Sequence, residues 1–460
     1  MLDAIRWDAD LIHRYDQAGP RYTSYPTPFQ FSGKLGSFEL LHGLRRSRHA
    51  GRPLSLYLHL PFCSSVCYHC RCNKVITEDR NRASSYLQRL EKEIEMIARH
   101  LGPDQVVEQV HLGGGTPTYF SHGELRRLMA HLRKHFNLLE DDHADFGIEI
   151  DPREADWPTM GMLRELGFNR AVIGLPDIDS HVQKAINRTQ TFEQTQTIIE
   201  AARTLQYRST HLDIVYGLPL QTPERFARTV DAVIALQPDR VSVSYYAHIP
   251  ERYMAQRRID AADLPASSER LAMLRHSVEQ LTRSGYRYIG MDHFALPDDE
   301  LAMAQEDGRL QRNFHGYTTH GHCDLIGLGV SAISQIGDLY CQNNSDITLY
   351  QQSLDQGQLP TVRGLRCNED DKIRRQVIQA LMCDFELRFE DIERDYGICF
   401  KTYFEKAWPA LEQMATDGLI QLEDDTLVIL PAGRLLAHSV CMPFDHYLPA
   451  HPAPRLSRAI

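Results

Sequence analysis

Between residues 54 and 290 short apolar runs alternate with longer helical stretches, and this alternation restricts the fold more than any other feature of the chain. Strand-like segments are expected at 54–60, 109–113, 146–151, 170–175, 211–216 and 240–247. Stretches between them, such as 83–100 and 193–205, carry apolar residues at the 3.6-residue period of a helix. Such alternation predicts a parallel sheet with right-handed crossovers. The string alone does not separate a barrel from a doubly wound sheet. After Gly364 the texture changes: 370–382 and 401–414 read as helices, and 419–430 as a hairpin turning at Glu423, Asp424 and Asp425. Helices followed by a hairpin suggest a small, mostly helical domain of winged-helix type. Residues before Pro53 show little periodicity and are read as an arm covering the mouth of the sheet domain. The expected division is an arm at 1–52, a sheet domain at 53–290, an extension with active-site loops at 291–364 and a C-terminal domain at 365–460.

The first strand-like run leads directly into Cys63, Cys67 and Cys70, spaced C-x-x-x-C-x-x-C. In parallel α/β folds the C-terminal end of a strand is where sites collect. Three thiolates hold only three corners of a cubic iron-sulfur cluster, so one iron stays open to a small chelating molecule. A structural zinc site wants four ligands, usually as two separated pairs, and a redox dithiol wants a single C-x-x-C. Cys72 is a conceivable fourth ligand, but a C-x-C pair beside C-x-x-C strains the geometry of one cube. Gly113-Gly114-Gly115-Thr116 closes the second strand, where glycines either admit a ligand against the backbone or make a tight turn. Glu149 ends the third strand and either meets a ligand's amine or hydroxyl there or is solvated.

Composition excludes several functions. A formal net charge of -11 argues against a nucleic-acid partner, although a local basic patch would suffice for an anionic small molecule. No apolar run reaches membrane-spanning length and residues 1–6 are mixed and charged, so neither a membrane span nor a signal peptide is expected, and the cytoplasm is the expected location. Ten cysteines there are ligands or packed thiols rather than disulfides, and Cys323, Cys341, Cys367, Cys383, Cys399 and Cys441 default to packing. Gly327-Leu328-Gly329 imitates a dinucleotide fingerprint but lacks a following βαβ pattern and the acid that would end a second strand. His315, His320, His322 and Cys323 match no usual zinc spacing and are read as surface or substrate-facing groups.

The three cysteines after a strand resemble those of the radical S-adenosylmethionine (SAM) superfamily. Together with Gly19-Pro20-Arg21-Tyr22, Cys72-Asn73-Lys74, His111 to Thr118, Glu149 to Glu154 and Gly290 to Phe294, they resemble the oxygen-independent coproporphyrinogen III oxidases (dehydrogenases) over essentially the whole chain. The resemblance implies an incomplete (β/α)6 barrel, a 4Fe-4S cluster on Cys63, Cys67 and Cys70, and two SAM molecules per chain. It places Tyr57, Gly114, Glu149 and Ile333 at the first SAM, and His69, Gly115, Thr116, Arg188, Asp213 and Ala247 at the second. Cys72, Tyr57 and Arg21 are implied as catalytic, with Arg21, and more weakly Lys74 and His293, as cations for the substrate's propionates. The implied reaction passes one electron to the cluster, cleaves SAM to methionine and a 5'-deoxyadenosyl radical, and removes a propionate β-hydrogen. Loss of carbon dioxide and a second electron leaves a vinyl group, and two such rounds turn coproporphyrinogen III into protoporphyrinogen IX. A flavodoxin or ferredoxin as electron donor and a monomeric state complete the expectation. The chain departs from the family pattern at His69, Arg71, Pro176 and Ser244-Tyr245; His69 and Pro176 fall at the second SAM site and predict weaker binding there. Alternative functions are a haem-trafficking relative, a haem-degrading methyltransferase, or an iron-sulfur protein that has lost turnover.

Overall fold

The computed structural model describes residues 5–141 and 143–448; residues 1–4 of the expected arm and 449–460 of the expected C-terminal domain lie outside the described residues. Contacts divide the chain into two compact units, one built from residues 31–270 and 322–366, the other from the N-terminal residues to 30, 271–321 and the chain after 366.

The first unit is organised by a sheet whose strands are β1 (Leu54–Leu60), β2 (Val106–Gly114), β3 (Asp145–Ile150), β4 (Arg170–Gly174), β5 (Ser209–Tyr216), β6 (Arg240–Tyr245), β7 (Asp324–Leu328), β8 (Ile333–Ile336), β9 (Leu339–Asn343) and β10 (Thr361–Arg366). Their spatial order is β6-β5-β4-β3-β2-β1-β7-β8-β9-β10. The first six run parallel and lie in sequence order. A doubly wound sheet reverses strand order at a switch point. No reversal occurs among these six, so the (β/α)6 partial barrel is the architecture and the doubly wound alternative is removed.

Helices α1 (Arg80–Ala98), α2 (His122–His135), α3 (Trp157–Glu165), α4 (Ser180–Ala185), α5 (Phe192–Thr204) and α6 (Pro223–Leu236) make the crossovers. Their starts are local chemistry: Ser121 and Glu124 form a capping box on α2, and Asp79, Asp156 and Asp179 each accept a first-turn amide. Along β1 the side chains alternate. Leu54, Leu56, Leu58 and Leu60 are fully buried in an apolar layer, each worth about 1.5–3 kcal/mol. Tyr57 and His59 take the opposite face, where the Tyr57 ring lies 6.1 Å from that of His111 on the neighbouring strand. That polar face is the one a site can use.

One element went unread in the sequence. Ser37–Ala50 is helical and buries Leu40, Gly43, Leu44 and Ser47, a regular i, i+3, i+4, i+7 stripe. Two of those four positions are glycine and serine, so hydropathy barely registers the stripe. Gly43 lets the helix pack closely: a Cβ there would lie 2.9 Å from the end of the Leu339 side chain on β9 and would push it aside.

In the second unit the C-terminal part runs helix Glu369–Cys383, strand Glu386–Arg388, helix Phe389–Tyr396, helices Phe400–Tyr403 and Trp408–Thr416, then the hairpin Ile420–Leu422 and Thr426–Ile429. The short first strand pairs with the last, completing a three-stranded antiparallel sheet of winged-helix type. The expected single helix over 401–414 is instead two. Pro409 cannot donate an amide inside a helix but fits its first turn, so a new helix starts at Trp408. Stacked Phe389 and Phe400, with ring centroids 4.2 Å apart, and the edge of Trp408 fill the core between these pieces.

Candidate active site

The cysteine loop is held on every side by backbone hydrogen bonds. Val75 and Thr77 amides donate to the Pro61 and Cys63 carbonyls at 2.7 and 3.1 Å, and the Tyr68 amide donates to Ile186 at 2.9 Å. Asn187 Nδ2 reaches the Val66 carbonyl at 2.8 Å. The loop is also joined to the end of β2: Gly115 and Thr116 amides donate to Leu60 and Phe62, both at 2.9 Å. This close join explains the glycine run. Gly114 has φ 116°, a conformation that side chains disfavour, and a Cβ on Gly115 would sit 2.6 Å from the Pro61 carbonyl carbon. The tight-turn reading of these glycines therefore holds in full, whatever ligand also meets them.

Each thiol has its own surroundings. Thr116 Oγ1 donates to Cys63 Sγ at 3.4 Å, while burial pushes the Cys63 thiol up to about 11. Cys67 is buried and receives both Arg153 Nη2 and Arg188 Nη1 at 3.7 Å. A hydrogen bond from Cys72, aided by Lys74, draws Cys70 down to about 5. Lys74 Nζ also holds the Cys70 carbonyl at 3.1 Å, and Cys72 is exposed. Behind Cys67 the two arginines share Asp151, which accepts Arg153 Nη2 at 2.7 Å and Arg188 Nη1 at 2.8 Å. Burial alone would raise the Asp151 carboxyl, but the Arg153 hydrogen bond and the two guanidinium charges hold it at about 2.

Beside the loop, Glu149 on β3 accepts the Gly114 amide at 3.0 Å and lies 3.7 Å from His111 Nε2. His59 Nε2 donates to the Asn73 carbonyl at 2.8 Å, which leaves Nδ1 to accept the Tyr57 hydroxyl at 3.1 Å. Burial pushes His59 below its ordinary value, against the Asn73 hydrogen bond and the Glu149 charge. His69, inside the loop, is pushed down to about 3 by burial and by the charges of Arg188, Lys74, Arg153 and Arg71. These are the local basic patch that the acidic chain as a whole does not suggest. His69 Nδ1 is buried and makes no hydrogen bond.

The residues fit the implied cluster and its ligand. Three thiols without disulfides come from one loop, two guanidinium groups reach the sulfur of Cys67, and a buried imidazole nitrogen awaits a partner. The comparisons agree. Residues 57–233 match the model of the radical SAM superfamily, and 367–436 match that of the HemN C-terminal domain. The oxygen-independent coproporphyrinogen III oxidase of Pseudomonas aeruginosa is 66% identical over 460 residues, all of both chains. The chain belongs to the oxygen-independent coproporphyrinogen III oxidase family. The enzyme of that name from Escherichia coli is 46% identical over 447 residues, 97% of each chain. The solved structure of coproporphyrinogen III oxidase (HemN) from Escherichia coli superposes with a TM-score of 0.92 at 44% identity, covering 97% of this chain and all of that one.

Of the residues the family implies, the barrel brings Cys63, Cys67, Cys70, Tyr57, Gly114, Gly115, Thr116, Glu149, His69 and Arg188 around one loop. Asp213 does not meet Arg188. It accepts the Ser242 hydroxyl and lies 3.3 Å from His211 Nε2, while Arg188 belongs to Asp151. Ala247 is buried, and its carbonyl accepts Gln256 Nε2 at 3.2 Å; the same amide reaches the His69 carbonyl at 3.4 Å. Ile333 begins β8, and its backbone lies so close to Gly327 that a Cβ there would be 2.4 Å from the Ile333 oxygen. In the second unit Arg21 is ion-paired with Asp292, and His293 meets the Tyr317 ring edge-on at 5.5 Å.

Sequence reading missed Asp151 and Arg153, although they lie inside a motif it quoted, and missed Gln256, for which no local signal exists. The Gly327–Gly329 loop is resolved differently from a nucleotide site. The Gly329 amide donates at 2.8 Å to Glu93, a carboxylate buried in α1 that also accepts Tyr350 and Asn343, both at 2.6 Å. Burial, only partly offset by these donors, pushes Glu93 up to about 7. The native state thus holds a proton that the unfolded chain releases above its ordinary value of 4.5. This contribution is complete below that value and declines as pH rises to about 7, by at most about 1.4 kcal/mol per pH unit. Denaturation midpoints measured across this range should show Glu93→Gln removing that part of the slope.

Proposed function

We propose that this protein carries out anaerobic oxidative decarboxylation of coproporphyrinogen III to protoporphyrinogen IX, turning two propionates into vinyl groups for haem biosynthesis. The observation that supports it best is the three-cysteine loop braced by Asp151, Arg153 and Arg188 beside Glu149 and the Gly114 amide. When bound, the cluster and SAM supply the carbon-centred oxidant that removes a propionate β-hydrogen. The protein's residues bind, orient and shield. Cys63, Cys67 and Cys70 hold the cluster. Glu149 meets the SAM amine or ribose, with Tyr57, Gly114 and Ile333 shaping the same site. His69, Gly115, Thr116, Arg188, Asp213 and Ala247 line the place of a second SAM, and the proline at Pro176 weakens it. The working protein is a cytoplasmic monomer served by a flavodoxin or ferredoxin. Cys72 stays outside the cluster as a catalytic thiol at the loop's exposed end.

The test is anaerobic reconstitution with iron and sulfide, followed by SAM, a reductant and coproporphyrinogen III. Vinyl product is expected, together with an electron paramagnetic resonance spectrum that changes on adding SAM. A spectrum indifferent to SAM and no vinyl product would end the proposal, and haem binding without product would favour the trafficking role. Arg21 binds a propionate by exchanging Asp292 for the substrate's carboxylate. Arg21→Ala should raise KM for coproporphyrinogen III by about tenfold or more, the scale of one charge-assisted contact, while leaving SAM cleavage intact. Unchanged kinetics would remove Arg21 from the substrate site.

A further inference from the structure

Helices α1 and α2 carry three metal-ligating side chains that no part of the proposed reaction uses. His131 and His135 stand one turn apart on α2, with ring centroids 4.5 Å apart. Glu95 on α1 faces them, its Oε1 lying 3.6 Å from His131 Nε2 and 3.9 Å from His135 Nε2. Both distances exceed hydrogen-bonding reach, so neither imidazole is satisfied by the carboxylate. His135 Nε2 is buried and has no hydrogen-bond partner, and His131 Nε2 reaches only the Glu91 carbonyl at 3.2 Å. Arg99 lies 3.7 Å from Glu95 Oε2, which leaves Oε1 to the histidines. One ligand atom from each residue lies within 4.8 Å of the others.

We propose that Glu95, His131 and His135 bind a divalent transition-metal ion, of which zinc is the best match, clamping α1 to α2. Two imidazoles and a carboxylate form a recognised zinc donor set, and water completes the coordination. Tetrahedral ligands at about 2.0–2.1 Å from zinc are about 3.3 Å apart, so the two gaps from the carboxylate to the imidazoles, 3.6 and 3.9 Å, close with shifts of a few tenths of an ångström, and rotation of the imidazole rings brings their nitrogens, which lie within 4.8 Å, to the same separation. His135 is also the last residue of α2, where the helix dipole favours a cation. On binding, the His131 proton moves through solvent from Nε2 to Nδ1, and Nε2 exchanges its bond to the Glu91 carbonyl for the metal.

The probe is zinc alone, with cluster-loaded protein dialysed anaerobically against micromolar zinc and its metals counted by mass spectrometry. Wild type should hold one zinc per chain in addition to its full iron. His131→Gln and His135→Gln, which stay polar and lie away from the cysteine loop, should each lose that zinc while keeping the iron and the circular dichroism of wild type. Zinc should also raise the Tm of wild type and not of the variants. Glu108, His322 and Cys323 form a second candidate group, with Glu108 Oε2 2.8 Å from His322 Nε2 and 3.5 Å from Cys323 Sγ, so His322→Gln is the control and should keep the zinc. Absence of zinc from wild type, equal zinc in all variants, or loss only in His322→Gln would each overturn the proposal.

Discussion

Asp151→Asn is expected to destabilise the protein by about 3–5 kcal/mol and to lower the iron retained per chain. Asp151 is 6% exposed and is the shared partner of Arg153 and Arg188, each of which also donates to Cys67 Sγ. An amide of the same shape keeps one acceptor but removes the charge, stranding two largely buried guanidinium groups against each other. Breaking a buried ion pair from one side costs about 3–5 kcal/mol, far more than an intact pair contributes. The pKa of about 2 sets the pH window. Because the folded value lies below the ordinary one, the stabilisation is present above about pH 4 and fades as pH falls towards 2. Denaturant midpoints at neutral pH, with iron counted on the same samples, check this. Equal midpoints and equal iron would mean that the arginines do not depend on Asp151.

Gly115→Ala is expected to abolish cluster assembly rather than merely weaken SAM binding. The added Cβ would lie 2.6 and 2.7 Å from the carbonyl carbon and oxygen of Pro61 and 2.8 Å from the Phe62 oxygen, and none of these can rotate away. Either the cysteine loop or the end of β2 must move, breaking the Gly115-to-Leu60 and Thr116-to-Phe62 hydrogen bonds that join them. Overpacking of this kind costs about 1–3 kcal/mol. The larger consequence is positional, because a shift of about 1 Å at a reacting centre costs on the order of a hundredfold in rate. The prediction is a loss of cluster iron and of at least about a hundredfold in vinyl-product formation. Gly123→Ala is the control: nothing lies within 4 Å of its Cβ position on α2, so full iron and activity are expected. If Gly115→Ala retained its cluster and turnover, the loop would have to be far more plastic than its hydrogen bonding indicates.

The two predictions differ in how far the residues concerned were visible beforehand. Gly115 was marked by its neighbours: three glycines closing a strand-like run, one strand after a cysteine loop, are a pattern within a few residues. Asp151 and Arg188 are 37 positions apart. Nothing local joins them, and Arg188 and Asp213 were both placed by the resemblance at the second SAM. Register decided otherwise. Gly174 on β4 sits opposite Asp213 on β5, while Arg188 lies against Gly174 and turns to the end of β3, where Asp151 waits. Glu93 is a similar case. On its own helix it is an acid among many, and only the return of β7 beside β1 gives it the Gly329 amide.

The chain alone indicated whatever depends on neighbours along it: six strand runs and their helices, the acidic hairpin, and a cysteine spacing that would leave a metal cube one ligand short. These are matters of side-chain period and covalent reach, which operate over a few residues. The folded structure decided the rest: barrel order rather than a doubly wound sheet, the break before Pro409, the helix at Ser37–Ala50, and which buried charges share a partner. Those outcomes turn on register between strands distant in sequence, and on how little apolar signal a buried stripe needs when a neighbour's side chains fill the space beside its one glycine.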